Sequence, residues 1–230
     1  DWQKKLAGGL MLACIGALVA ESTIMPKEIQ RRLSPMDRSA QLAMAAFLTP
    51  IQEVFAFLED AMTIQVGYAI ARKDTAQLNS LLHISVWGGA MCGAAAFLLM
   101  LALSASRGSA QALLNPSHGP NSALIAAGCD LVPTTDALLE DARVYWLLTA
   151  STWIPTFMSK GVSGFLIGTF EIAPYLFPIV VSASVPIGLW FGLLPQTQGD
   201  DAALTPITVL AIAYAVGPWL IGFFQLGYLY

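Results

Sequence analysis

Five charged side chains interrupt stretches of sequence that are otherwise apolar, and these are the residues best suited to chemistry: Glu21, Glu53, Glu59, Asp60 and Lys160. A charge in bilayer hydrocarbon costs at least a few kcal/mol, so each is expected to face protein or water and to have a partner. Glu53 and Asp60 are seven residues apart and share one helix face, whereas Glu59 points about 100° away from Asp60. Two interpretations stay open: a proton or cation site lining a cavity, or structural ion pairs and neutral buried carboxyls.

Lys160 differs from the other four because it is the only lysine or arginine well inside a predicted membrane span, Arg143 being at the start of the fourth. It is the natural counter-charge for one of the carboxylates, so structural pairing is its expected role. Glu21 and Glu53 are also compatible with a place at the membrane interface, which weakens the case for a functional site at these two positions.

Composition indicates a membrane protein. Of the 230 residues, 56% are hydrophobic and 11% are charged, whereas an average soluble domain is roughly 25% charged. A soluble fold of this length cannot hide so much apolar surface, but lipid accepts it. The net charge of -4 is scattered and includes no basic stripe, which argues against a nucleic-acid partner.

The sequence contains no pattern typical of an enzyme or a cofactor-binding protein. A Gly-rich phosphate loop, a metal-binding spacing and a nucleophile elbow are all absent, and the three cysteines include no CxxC pair. We therefore predict that the protein is not an enzyme, has no catalytic residue, and holds no metal or cofactor.

Six apolar runs are near or above the roughly 20 residues that a membrane-spanning helix needs. They predict an all-α, multi-pass membrane protein: a single six-helix transmembrane domain over residues 1–230, in contact with the lipid bilayer. The predicted spans are approximately 6–25, 41–71, 78–103, 140–169, 174–194 and 206–230, and residues 104–139 are predicted to be one long loop.

Prolines fall inside the last three predicted spans, at positions 155, 178, 186 and 218. A proline within a helix leaves a backbone carbonyl unpaired, and in lipid that carbonyl needs a partner from a neighbouring helix or water. We therefore expect kinked helices packed in a bundle. In the third span, Gly89 and Gly93 are four residues apart, a spacing that lets another helix approach closely.

Several segments resemble the multidrug and toxic compound extrusion (MATE) family. FAFLEDAMTIQVGYAIARKD, residues 55–74, resembles the second helix of that family, and AQLAMAAFLTP, residues 40–50, resembles the segment that opens this helix. ARVYWLL and KGVSGFLIGTFEIAPYLFPIVVS, residues 142–148 and 160–182, are similar to the fourth and fifth helices. The likeness covers roughly residues 10–230 and favours the plastid-type branch of plants.

The resemblance implies one six-helix lobe of an antiporter that moves an organic cation or metabolite against protons or sodium. Glu21 matches the acidic residue of the family's first helix that takes part in coupling, although Asp is usual there. The chain departs from the family at Glu59 and Asp60, where small or polar residues are usual, and has room for only half of the family's twelve helices. The resemblance also implies an organellar membrane, that of a plastid.

Transport by two bundles that rock against each other needs a second lobe. We therefore expect the chain to act as a homodimer or with other membrane subunits, and its ends at Asp1 and Tyr230 are typical of a trimmed segment. The alternative is a non-transporting structural or accessory subunit of a larger organellar complex, for example a photosynthetic or respiratory supercomplex. A homodimer is expected to bury the polar face with Asp60, and an accessory subunit to dock through its lipid-type face.

Overall fold

The protein is helical throughout its described part. The computed structural model describes the backbone of residues 2–106, 108–109, 136–197 and 204–229, and the side chains of most of these residues, with 45–56 among the exceptions. An all-α fold is confirmed for this part of the chain, in which no strand occurs. The predicted loop at 104–139 falls mostly on residues outside it.

Eight α-helices follow one another along the described residues: α1 (Trp2–Arg32), α2 (Pro35–Ala71), α3 (Thr75–His83), α4 (Gly89–Ala105), α5 (Asp136–Ser151), α6 (Trp153–Gly168), α7 (Ile172–Leu193) and α8 (Pro206–Leu229). A π-helical turn, Ile84–Gly88, joins α3 to α4 in one continuous helical run. A short 3-10 turn, Leu194–Thr197, follows α7.

Local sequence signals set the ends of the first helices. Ser34 caps α2, because its hydroxyl accepts from the Asp37 N–H at 3.1 Å while the Asp37 carboxylate accepts from the Ser34 N–H. Asp74 caps α3 by accepting from a backbone N–H three residues later at 2.9 Å. Between these helices Lys73 has a left-handed backbone, with φ of 56°. Residues 26–40, between the first two predicted spans, are mostly helical, since α1 continues to Arg32 and α2 begins at Pro35.

Four helical segments of the described chain are long and apolar enough to cross a membrane: Gly8–Arg32, Thr75–Ala105, Pro174–Leu193 and Pro206–Leu229. They coincide with the first, third, fifth and sixth predicted spans and mark a membrane-embedded helical protein. The other two spans are not confirmed. The fourth is divided at Thr152 into two helices of 16 residues each, and α2, with 37 residues, is not among the four segments.

The small residues of the third span are used inside the bundle. A Cβ on Gly89 would lie 2.5 Å from the carbonyl oxygen of Phe157, and one on Gly93 would lie 2.4 Å from that of Trp153. The predicted close approach is therefore confirmed, and the neighbour is α6, which also packs against α2 and α8. Because α6 covers this face, Gly89 and Gly93 offer no contact to a second subunit.

Three of the four prolines lie inside helices that continue through them: Pro178 and Pro186 in α7, and Pro218 in α8. The fourth predicted span is interrupted near Pro155, which is the third residue of α6, within the first turn, where backbone N–H groups have no helical partner. The interruption expected from Pro155 lies three residues earlier, at Thr152.

Candidate functional site

A polar cavity of about 440 Å³ lies between α1, α2, α6, α7 and α8. Three of the five charged residues singled out above line it: Glu21 from α1, Glu59 from α2 and Lys160 from α6. The wall also carries six hydroxyl side chains: Thr156, Ser159, Ser163, Tyr175, Ser182 and Tyr214. Charges that lie far apart in the sequence thus meet in one polar space, where water or a ligand can solvate them.

Lys160 and Glu59 form an ion pair across the cavity wall. Lys160 Nζ donates to Glu59 Oε2 at 3.1 Å, joining α6 to α2. The Glu59 side chain is 18% exposed and that of Lys160 is 44% exposed, so the pair remains open on one side. Lys160 therefore has the carboxylate partner that its place in an apolar run requires.

Two residues fix the separation of α2 and α6 at the level of this pair. Gly164 lies against the backbone of Glu59, whose carbonyl oxygen would be 2.3 Å from a Cβ at position 164. The Thr63 hydroxyl lies between the two helices, 2.8 Å from the Glu59 carbonyl oxygen and 3.2 Å from that of Gly164. A side chain larger than glycine at 164, or loss of this hydroxyl, would move Glu59 relative to Lys160.

All four of the span prolines line the cavity. Pro186 and Pro218 have no N–H to donate to the carbonyl groups four residues earlier, which belong to Ser182 and Tyr214. Ser182 and Tyr214 also line the cavity, so these two residues of its wall have carbonyl groups without their usual helical partner. Transporters built from interrupted helices use such oxygens to coordinate cations.

Glu21 and Tyr214 border a second cavity as well, of about 760 Å³, between α1, α2 and α8. This second cavity is largely apolar along α1 and has Gln30, Arg38 and Gln41 in its wall. Glu21 is therefore the charged group at the point where the two cavities meet.

Asp60 lies apart from these three residues. Asp60 is exposed and is absent from the walls of both cavities, although the sequence predicted that it would face other helices or a cavity. The reason is the turn of about 100° per residue in a helix, which directs Glu59 toward α6 and its neighbour away from it. The side chain of Glu53 lies outside the described part of the chain.

Sequence reasoning missed the hydroxyl groups of the cavity. Ser159 and Ser163 are four residues apart and so share a face of α6. That spacing beside Lys160 was the available signal. Tyr175 and Tyr214 carried none, because a tyrosine within an apolar run is equally compatible with ordinary packing.

The cavity wall is suited to a cation. With Glu21, Glu59 and Lys160 all ionised, its charged groups sum to -1, and hydroxyl and carbonyl oxygens are ligands that hard cations prefer. The rings of Tyr175 and Tyr214 can also attract an organic cation. The volume of about 440 Å³ is within the range of roughly 300–1,000 Å³ found for small-molecule sites. The described residues include no group of three or more His, Cys, Asp or Glu side chains placed to hold a metal ion.

Fold and site together define a membrane-embedded helical protein with a charged internal cavity. No family model, no curated protein and no solved structure matches the chain. The resemblance to the MATE family therefore stays a prediction from residues 40–74, 142–148 and 160–182.

Proposed function

We propose that this protein is a cation-coupled membrane transporter and that the polar cavity carries the exchanged ions. The supporting observation is that Glu21, Glu59 and Lys160 meet in one cavity among apolar helices. A structural ion pair needs only Glu59 and Lys160, which already bond at 3.1 Å. Glu21 is a third charge that this pair does not require, and it gives the site one negative charge to offer to a cation.

Antiport follows from competition for Glu21. The positive charge of Lys160 is balanced by Glu59, so one further cation neutralises the cavity and a second would leave a net positive charge in a site of low dielectric. An organic cation or metabolite and a proton or sodium ion would therefore occupy the cavity in turn rather than together. Exchange of one for the other across the membrane is the proposed activity.

The proposed architecture is one lobe of a MATE-type antiporter with six membrane crossings. In it α2 forms the second crossing, and α5 and α6 together form the fourth. With six crossings, the turns after α2 and after α6 lie on the same side of the membrane. A membrane-impermeant thiol reagent applied to sealed vesicles should then label Lys73→Cys and Thr169→Cys from one side and Ser34→Cys from the other. Labelling of Lys73→Cys and Thr169→Cys from opposite sides would exclude this topology.

A second bundle belongs to the same proposal, because rocking of one bundle against another is what alternates access to a midplane site. We propose a second copy of the chain, or another membrane subunit, in that place, and an organellar membrane, that of a plastid, as the location. Cross-linking in the native membrane followed by mass spectrometry identifies the neighbour. Imaging of a fluorescently tagged chain tests the location.

The transport proposal is tested with purified protein in proteoliposomes, a radiolabelled quaternary ammonium ion and an imposed proton or sodium gradient. Gradient-driven uptake is expected for the unmodified chain and is expected to be lost in Glu21→Gln and in Glu59→Gln. Glu140→Gln is the matched control, because the Glu140 side chain is 71% exposed and pairs with Arg143 away from the cavity. Full gradient-driven uptake by Glu21→Gln would refute the proposal.

A non-transporting accessory subunit is the second candidate, and one face of α2 favours it. Asp60 is exposed on this face, and so are three large apolar side chains: Phe57, Ile64 and Tyr68. A carboxylate directed at lipid is costly, whereas a neighbouring subunit could cover and pair it. If this candidate is right, Asp60→Leu should release the chain from its native complex on a native gel, and an unchanged complex would count against it.

A further inference from the structure

Gln225 is a buried amide whose two polar atoms both lack a partner. Its side chain is 1% exposed, and neither Oε1 nor Nε2 makes a hydrogen bond within the described part of the chain. An unpaired buried polar group costs roughly 1–3 kcal/mol. Because the great majority of such groups in folded proteins are paired, this amide needs an explanation.

Gln225 lies on the cavity face of α8. At about 100° per residue it is within about 40° of Tyr214, Pro218 and Ile221, which all line the polar cavity. A separate apolar cavity of about 150 Å³ lies on another side of α8, and the α8 residues in its wall are about 60° or more away: Trp219, Gly222, Phe223 and Leu226. Gln225 therefore lies on the side of α8 that faces the polar cavity, although it is not itself among the residues that line either cavity.

The depth of Gln225 in the bundle agrees with this assignment. Trp219 Nε1 donates to Ser151 Oγ at 3.5 Å, and a Cβ on Gly222 would lie 2.9 Å from Pro155 Cβ. Residue numbers therefore increase together along the contact, which means that α6 and α8 run side by side in the same direction. Three residues further along, Gln225 is level with the stretch of α6 that contributes Lys160 and the α6 hydroxyl groups to the cavity. Gln225 is therefore level with the charged part of the cavity, one helical turn beyond Ile221, the last α8 residue of its wall.

We propose that Gln225 is a specificity-determining contact for the ligand of the polar cavity; this inference depends on the proposed function. A carboxamide donates and accepts hydrogen bonds, and in this proposal a change of rotamer turns it from its buried position toward the cavity. The carboxylates attract any cation, whereas the amide favours one that carries a hydrogen-bonding group. The ligand class is therefore a small organic cation with a hydroxyl or carbonyl group.

Choline and tetramethylammonium are matched probes for this role, since both carry a quaternary charge and only choline has a hydroxyl. Calorimetric titration of the protein in nanodiscs should show about fivefold tighter binding of choline, the effect of one hydrogen bond of typical strength. Gln225→Met keeps the length of the side chain without the amide, and should abolish the preference while changing tetramethylammonium affinity less than about twofold. An unchanged preference in Gln225→Met would overturn the assignment.

Thiol labelling tests the position of Gln225 without relying on transport. The native cysteines are first replaced by alanine: Cys14, Cys92 and Cys129. A small cationic methanethiosulfonate should then label Gln225→Cys at least about ten times faster than Val209→Cys, which is 0% exposed and lies about 160° around the same helix, away from the cavity face. Equal rates would overturn the role of Gln225. Failure of the unmodified chain to bind either ammonium ion would instead contradict the proposed function, and the labelling rates would still decide on Gln225.

Discussion

Replacing Gly164 by alanine perturbs the contact that holds Glu59 beside Lys160. The new Cβ would lie 2.3 Å from the Glu59 carbonyl oxygen and 2.9 Å from Met62 Cβ, whereas ordinary contact begins at 3.4 Å. The backbones of α2 and α6 must therefore separate by about 1 Å at this level. The same movement stretches the 3.2 Å contact between the Thr63 hydroxyl and the Gly164 carbonyl oxygen beyond hydrogen-bond distance.

The size of the effect follows from two opposing terms. Overpacking of a close contact typically costs about 1–3 kcal/mol, and the better helix propensity of alanine offsets about 1 kcal/mol of this. Gly188→Ala is the matched control, because no atom lies within 4 Å of a Cβ at that helical position. The propensity term is common to both variants, so their free energies of unfolding should differ by about 1–3 kcal/mol.

Thermal unfolding of the two variants in the same detergent, followed by tryptophan fluorescence, measures this difference. At about 2–4 °C per kcal/mol for a chain of this size, Gly164→Ala should melt about 2–12 °C below Gly188→Ala. Gly164→Ala should also lose gradient-driven transport, since the ion pair is displaced. Equal melting temperatures would show that α2 and α6 are not in the close contact on which the position of Glu59 depends.

Two further substitutions probe the same region. Thr63→Val should lower the free energy of unfolding by about 0.5–1.5 kcal/mol in a denaturant titration, because it removes the hydroxyl shared by α2 and α6. Thr23→Val is the control and should cost less, because the Thr23 hydroxyl bonds only to a carbonyl of its own helix. Equal losses of stability in the two variants would show that Thr63 has no part in the contact between the helices. Lys160→Met alone should destabilise the chain more than Lys160→Met combined with Glu59→Met, because the single change leaves a mostly buried carboxylate unpaired. A double-mutant cycle measures this coupling, and a coupling energy near zero would mean that the pair does not stabilise the fold.

Hydropathy predicted the apolar helices because the thickness of the bilayer sets the length of a membrane-spanning helix and its hydrocarbon core sets the apolar composition. The four segments that are long and apolar enough to cross a membrane coincide with predicted spans. Hydropathy alone does not show the interruption at Thr152, because this residue lies within an apolar run. Pro155 was the signal for it, since a proline is tolerated in the first turn of a helix and not in its interior.

Which acid faces inward was not predictable from hydropathy either. Glu59 and Asp60 are adjacent and lie in the same apolar run, so only the position of α6 distinguishes them. That position depends on close backbone contact at Gly164, about a hundred residues away in the sequence. Gln225 was missed for a related reason: its significance comes from the hydrogen bonds that it does not make, which no sequence pattern records.

The central claim is that Glu21 binds the transported cation and the coupling ion in turn. Equilibrium binding of radiolabelled tetramethylammonium to the purified protein, measured over a series of proton and sodium concentrations, tests it most directly. The unmodified chain should bind the ammonium ion more weakly as the concentration of the coupling ion rises, and Glu21→Gln should lose that competition. Binding that is independent of both protons and sodium, or competition that persists unchanged in Glu21→Gln, would contradict the account.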